Sequence, residues 1–362
     1  MVVISEHVLK RSAKKLEKVA KRICLRLLSI AAKSRDDNSG KELRDISKII
    51  VIRPNFRIGN AILSTAIIGP LQKRFPGASI DFVVTDKTTA IFDNVPINQL
   101  ITISRKEMRR PWLAIPLLRS LRSQHYDLAV QFAPGSLSGI LISQLAGARY
   151  VAGQPVEHLD CYDIKVKDPI VNAYDAGPAF SDALGVTDAA LPGLALSNNE
   201  IADAHDQLQT LGLRAHDNFV AVFVGGHADK VCPVSFWLEL IIAINAAGTR
   251  FVVFVGPEEK EMIPQLQKAL QACPYGVLCP AQPIRLFMGM LAQARLMITP
   301  DSGPMHMAAA LGVPTTVMVQ TRKSLAFIPP GQSSQVVFDL DISAVTAALV
   351  RLNEFDDARR IA

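Results

Sequence analysis

A chain of 362 residues that is 49% hydrophobic but only 6% aromatic is long for one core and points to a two-domain α/β protein. No apolar stretch approaches the roughly 18–20 residues of a membrane span. The five cysteines (Cys24, Cys161, Cys232, Cys273, Cys279) form no C-x-x-C pair and no zinc spacing, which fits reduced thiols in a cytoplasmic compartment.

The net charge of +6 is unevenly placed: residues 1–35 carry ten Lys/Arg against Glu6 and Glu17, and residues 36–362 carry 29 basic and 31 acidic side chains. The high isoelectric point therefore belongs to an arm, and nucleic-acid binding by the near-neutral body finds little support. In that arm Leu9, Leu16, Val19, Ile23, Leu27 and Ile30 recur at three-, four- and seven-residue spacings with basic residues between them. Charges break the apolar stretch and no small-residue cleavage pattern follows, which argues against a signal peptide. Such a helix can lie on an anionic membrane surface, or pack on the body with a solvated basic face. Residues 1–45 are read as this arm and its linker, "SRDDNSGKE" (34–42).

From Lys48 short β-rich runs alternate with helical stretches. "KIIVIR" (48–53), "SIDFVV" (79–84), "QLITI" (99–103) and "YDLAVQF" (126–132) read as strands, with helices over 59–74 and 111–124. Residues 153–215 are less regular, with turns at "AGP" (176–178) and "LPG" (191–193). The alternation then restarts: "NFVAVFV" (218–224), "RFVVFV" (250–255), "GVLC" (276–279), "RLMIT" (295–299) and "PTTVMV" (314–319) are strands, with helices near 234–247, 258–272, 283–293 and 304–311. Two doubly wound units facing a cleft account for this pattern. The expected bounds are 46–195 and 196–362, with the last helix free to pack back on the first unit.

In such units ligands sit at the carboxyl ends of strands. The first unit offers "PNFRIGN" (54–60), "TDK" (85–87) and "APGS" (133–136) there; the second offers "GGHADK" (225–230), "GPEEK" (256–260), "TPDSGP" (299–304) and "QTRK" (320–323). The second set is rich in Gly, Lys and hydroxyls, which suits a phosphorylated ligand. In "TPDSGPMHMAAALGVP" (299–314) a strand passes into a helix through Asp301 and Ser302. These residues can cap the first turn, and the same free N–H groups can form an anion site.

Three segments carry a resemblance to a known family. "IIVIRPNFRIGNAILSTAIIGPLQKRFPGASIDFVV", "VGGHADKVCPVSFWLELI" and "MITPDSGPMHMAAALGVPTTVM" resemble, in matching order over about residues 48–350, the family-9 glycosyltransferases, the ADP-heptose:lipopolysaccharide heptosyltransferases. The resemblance implies a GT-B fold. The first domain would hold a glycolipid or glycan acceptor and the second the nucleotide-sugar donor. It also implies an inverting reaction that needs neither metal nor cofactor, on the cytoplasmic side of the inner membrane. "DLD" (339–341) is the only D-x-D, and paired acids at a strand end are usually just solvated.

By position, Lys230 matches a lysine that contacts donor phosphates, and Glu258 an acid that can hold ribose hydroxyls. Asp301, Ser302, Gly303, Pro304 and His306 match the signature before the diphosphate. Each has a plainer reading: a solvated loop lysine, a helix-start acid favoured by the dipole, a capped turn, a satisfied core histidine. Arg53, Arg57, Gly59 and Asp86 fall on the acceptor side, where the two arginines would meet an anionic acceptor or simply be solvated. The tryptophan common after the donor lysine is absent; "KVCP" stands there.

The family's general base is an Asp where this chain has Asn60. An amide cannot take a proton from a sugar hydroxyl near neutral pH. Either Asn60 orients the acceptor while Asp86 or Asp301 takes the proton, or transfer is dissociative enough to need no strong base, or the protein binds without turnover.

Overall fold

Short apolar runs separated by helices are what a parallel sheet covered on both faces requires. The computed structural model describes residues 43–361 apart from 133–135, 157–160, 188–189 and 215–216. The basic helix expected in the arm and its linker at 34–42 lie outside that range, as does most of "APGS".

The first unit contains β1 (Lys48–Ile52), α1 (Ile58–Ser64), α2 (Ile68–Arg74), β2 (Ser79–Thr85), β3 (Gln99–Ile103), α3 (Arg105–Arg109), α4 (Ile115–Ser123), β4 (Leu128–Gln131), α5 (Leu137–Leu145), β5 (Tyr150–Gly153), β6 (Ile164–Lys165) and α6 (Ala176–Ala183). The second contains α7 (Asn198–Thr210), β7 (Val220–Phe223), α8 (Val234–Ala246), β8 (Phe251–Phe254), α9 (Ile263–Leu270), β9 (Gly276–Cys279) and α10 (Ile284–Ala292). It continues through β10 (Leu296–Pro300), α11 (Gly303–Ala310), β11 (Thr315–Val319), β12 (Ser334–Phe338) and α12 (Ile342–Ile361).

The sheets run β3-β2-β1-β4-β5-β6 and β12-β11-β10-β7-β8-β9, all parallel, with Ile50 opposite Asp81 and Ala129, and Ile298 opposite Val222 and Thr316. Each order reverses once, between β1 and β4 and between β7 and β10. At such a switch point the loops diverge and leave a crevice. The loops after β1, β7 and β10 hold most of the candidate residues, and those after β2 and β8 hold Asp86 and Glu258.

Two stretches differ from expectation. "AGP" is no turn: it opens α6, after a 3-10 turn whose Asn172 side chain accepts from the Tyr174 amide at 2.9 Å. Pro is tolerated there because first-turn N–H groups have no intrahelical partner. α7 crosses the stretch that looked irregular, started by a capping box between Ser197 and Glu200. The first turns of the last helix pack on the second unit. Val345, Ala348 and Leu349 pack into the core around Trp237 and Ile241.

The two units share apolar core: one continuous cluster includes Ile62 and Ile67 from the first and Met288 and Met307 from the second. Beside it Arg285 on α10 holds three segments at once. It donates to both oxygens of Glu200 (2.6 and 2.8 Å), to the Ala195 carbonyl (2.7 Å) and to the Ala90 carbonyl (3.3 Å). Asn94 of the first unit also donates to Glu200, at 2.8 Å. Among the described residues no helix is long and apolar enough to cross a membrane.

Candidate active site

After β7 the chain must turn sharply to bring a side chain back over the sheet. A Cβ on Gly226 would lie 2.8 Å from the Lys230 carbonyl oxygen, so the turn closes only around glycine. Lys230 ends the 3-10 turn Ala228–Lys230 and forms an ion pair with Asp301, the first residue after β10. The Phe327 ring lies 5.4 Å from the Lys230 ammonium, within cation–π reach.

Asp301 is therefore turned to the lysine. Ser302 occupies the N-cap position of α11 but makes no side-chain cap; its hydroxyl meets Thr299 Oγ1 at 3.0 Å. The capping expected of this pair is absent from Ser302, and Pro304 stands in the first turn. The helix start keeps N–H groups that its own N-cap does not satisfy, next to a lysine at a switch point. That arrangement suits an anion.

Glu258 is exposed, whereas its neighbour Glu259 is turned inward. A Cβ on Gly256 would meet Glu259 Oε2 at 2.4 Å, and one on Gly225 its carboxyl carbon at 2.8 Å. Burial raises the Glu259 carboxyl above its ordinary range, opposed by the Gly226 N–H. The acid beside the lysine loop is thus Glu259, one position from the residue the sequence nominates. The doublet Glu258-Glu259 was the signal, and only the packing on two glycines separates its members.

On the facing side, Arg53 follows β1 and donates to Asn60 Oδ1 at 3.4 Å. Burial lowers the Arg53 guanidinium to about 10, and its Nε has no hydrogen-bond partner among the described residues. Arg57 is exposed at the N-cap of α1, its amide donating to Asn55 Oδ1 at 2.8 Å. Asp86 is exposed in the turn after β2.

The two sides meet where α1 packs on α11. A Cβ on Gly59 would lie 2.5 Å from His306 Cδ2, and a Cβ on Gly303 3.5 Å from Ile58 Cβ. Gly59 is thus buried under the imidazole edge. His306 is 5% exposed, bonds Tyr174 through Nδ1 at 2.9 Å and stacks on its ring. Burial lowers the imidazole to about 4, with Lys230 acting in the same direction and Asp301 opposing. It is neutral near pH 7. Its place is that of a packed, bonded histidine at the seam between the units. Tyr174 was missed because no local pattern marks it; the contact is made by the fold.

Of the D-x-D pair, Asp341 accepts from the Ala344 amide at the start of α12 (3.1 Å), and Asp339 has a positive φ of 57°. No cluster of three His, Cys, Asp or Glu suited to a metal occurs among the described residues.

Residues 115–356 match glycosyltransferase family 9 (heptosyltransferase). The chain is similar to lipopolysaccharide heptosyltransferase 3 of Escherichia coli, 24% identical over 269 residues, covering 71% of this chain and 78% of that protein. In structure it is similar to a family-9 glycosyl transferase from Veillonella parvula (TM-score 0.72, 20% identity, 86% of this chain and 99% of that one). It is also similar to the ADP-heptose lipopolysaccharide heptosyltransferase II of E. coli (TM-score 0.67, 22% identity, 86% and 99%). The two sheets with their facing switch points are the GT-B architecture, and with the family match over two thirds of its length the chain belongs to glycosyltransferase family 9, the heptosyltransferases.

Proposed function

We propose that the protein moves a heptose from ADP-heptose onto a lipopolysaccharide core or a related surface glycan, with inversion and without a metal or resident cofactor, on the cytoplasmic side of the inner membrane. The basic arm would rest there on anionic lipid. The observation that carries the reading is the Lys230–Asp301 pair beside the uncapped start of α11.

A diphosphate placed there meets an ammonium and free backbone donors as the anomeric carbon–oxygen bond breaks and the leaving group takes up charge. Ser302, Gly303 and Pro304 form that helix start, and Glu258 or Glu259 would hold the ribose. Arg53, Arg57 and Gly59 border the acceptor side, where Asn60, bonded to Arg53, orients the attacking hydroxyl. The proton goes to a carboxylate such as Asp86 or Asp301, or leaves late.

The test follows ADP release from ADP-heptose with a heptose-free lipopolysaccharide acceptor, alongside thermal shifts with a panel of nucleotide sugars. Release that needs the acceptor supports transfer. Selective stabilisation by ADP-heptose without release would make the protein a silent binder, the alternative that an amide at position 60 leaves open. No response to any nucleotide would sink both.

A further inference from the structure

Residues 36–362 are slightly acidic as a whole, yet "SRKEMRRPWLAIPLLRSLRS" (104–123) holds six Lys/Arg against one acid, Glu107. That acid is engaged at the start of α3, where Ser104 donates to it from its hydroxyl at 2.6 Å and its amide at 2.7 Å. Those bonds keep the carboxylate ionised, and one acid against six cations leaves the stretch strongly positive.

Its apolar pattern is equally uneven. Leu121 is the buried residue of α4. Trp112, Ile115, Arg119 and Arg122 recur at three- and four-residue spacings, which puts them on one side of the helix and its lead-in turn, and all four are exposed. Trp112 is 63% exposed and Ile115 43%, while Trp237, the other tryptophan, is fully buried. Arg105, Lys106 and Arg110 are exposed at the same end. The Arg105 guanidinium lies 4.7 Å from the Phe56 ring centroid. Because Phe56 sits in the loop between β1 and α1, the basic face runs up to the acceptor side of the cleft.

Arginines of one sign call for a polyanion. An exposed isoleucine beside an indole has no use against a sugar–phosphate backbone, so the polyanion is one with an apolar interior. Indole rings settle at headgroup depth, where one edge is wet and the other apolar, and basic side chains gain from anionic headgroups.

We propose that Trp112 and Ile115, with Arg105, Arg110 and Arg119, dock the body on an anionic phospholipid bilayer. The contact is separate from any made by the arm and does not depend on the transfer reaction. It would hold the acceptor side of the cleft at the lipid surface.

The full-length protein is mixed with vesicles of phosphatidylcholine alone or with phosphatidylglycerol, and Trp112 emission is followed over the constant background of buried Trp237. With phosphatidylglycerol the emission is expected to move to shorter wavelength. Acrylamide should quench it less, and lipids brominated in the acyl chains should quench it more. Trp112→Phe should lose these optical changes but still sediment with the vesicles. Arg110→Gln and Arg119→Gln should each weaken the lipid-induced quenching constant about fivefold at low salt, with unchanged circular dichroism.

Sedimentation with vesicles while Trp112 stays as open to acrylamide as in buffer would assign binding to another segment and overturn the proposal. So would an absence of binding at low salt. An equal spectral shift with heparin would show a general polyanion site and overturn it as well.

Discussion

Asp301 is 5% exposed, but the side chain of its partner Lys230 is 28% exposed, so the pair is open on the cation's side. An incoming diphosphate meets the ammonium first. Lys230→Ala should weaken nucleotide-diphosphate binding by about 1.5–3 kcal/mol, the size of a lost charge-assisted contact, as read by calorimetric titration. It should also lower stability, because a buried carboxylate loses its counter-ion, and Lys230→Ala with Asp301→Asn should recover part of that loss. Asn60 sets a second expectation. If proton removal limits turnover, Asn60→Asp should raise it, up to the 10²–10⁴-fold that a positioned base contributes; identical pH–rate profiles for wild type, Asn60→Asp and Asn60→Ala would show that position 60 takes no part. His306 gives a third. Its folded value near 4 lies below the ordinary 6.5, so the unfolded chain binds the proton more readily and stability falls as pH drops between them. From pH 6.5 to 4.5 the loss should be about 2 kcal/mol, measured by denaturant midpoints, and His306→Gln should flatten it. Glu200, held near 2 mainly by its bonds from Arg285, contributes stability that is lost only below about 4.5. Glu259, raised by burial, gains stability as pH falls and offsets part of the loss, so the difference between wild type and His306→Gln isolates the histidine.

At the scale of elements, two helix starts that look alike in sequence behave differently. Ser197 caps α7 reciprocally with Glu200, its hydroxyl accepting from the Glu200 amide at 3.3 Å, whereas Ser302 at α11 caps nothing. Ser197→Ala should therefore cost about 1 kcal/mol. Ser302→Ala should cost little stability yet weaken diphosphate binding; thermal melts with and without nucleotide separate the two effects. The same contrast shows what could be read in advance. β1 and β10 were legible because strands buried on both faces are continuous apolar runs. The positions of Lys230, Asp301 and Ser302 between a strand and a helix were legible because such a junction is local. α7 escaped although its Ser-x-x-Glu start was present, since only Ala204 and Leu208 of the helix are fully buried and its apolar stripe is thin. β5 and β6, of four and two residues, are too short to show a period. Glu259 and Tyr174 take their places from contacts across the fold, which no spacing encodes.

For the whole molecule, the spatial relation of the units rests on a guanidinium and a seam. Arg285 binds α7, the segment at Ala195 and the turn at Ala90, and a lysine has no planar fork to do the same. Arg285→Lys should keep the charge but lose about 2–3 kcal/mol, most of what Arg285→Ala loses. Chemical unfolding followed separately in each unit should then show transitions that no longer coincide. The seam where His306 lies over Gly59 has a different consequence. One half is contributed by the first unit and the other by the second, so recombinants that join the first half of this enzyme to the second half of a relative inherit only one side of the fit. Where the incoming helix carries a bulkier ring, or the outgoing one faced a side chain instead of a hydrogen, the halves will fold and still fail to mate. Parent pairs for such hybrids are best chosen by matching these two positions before overall similarity.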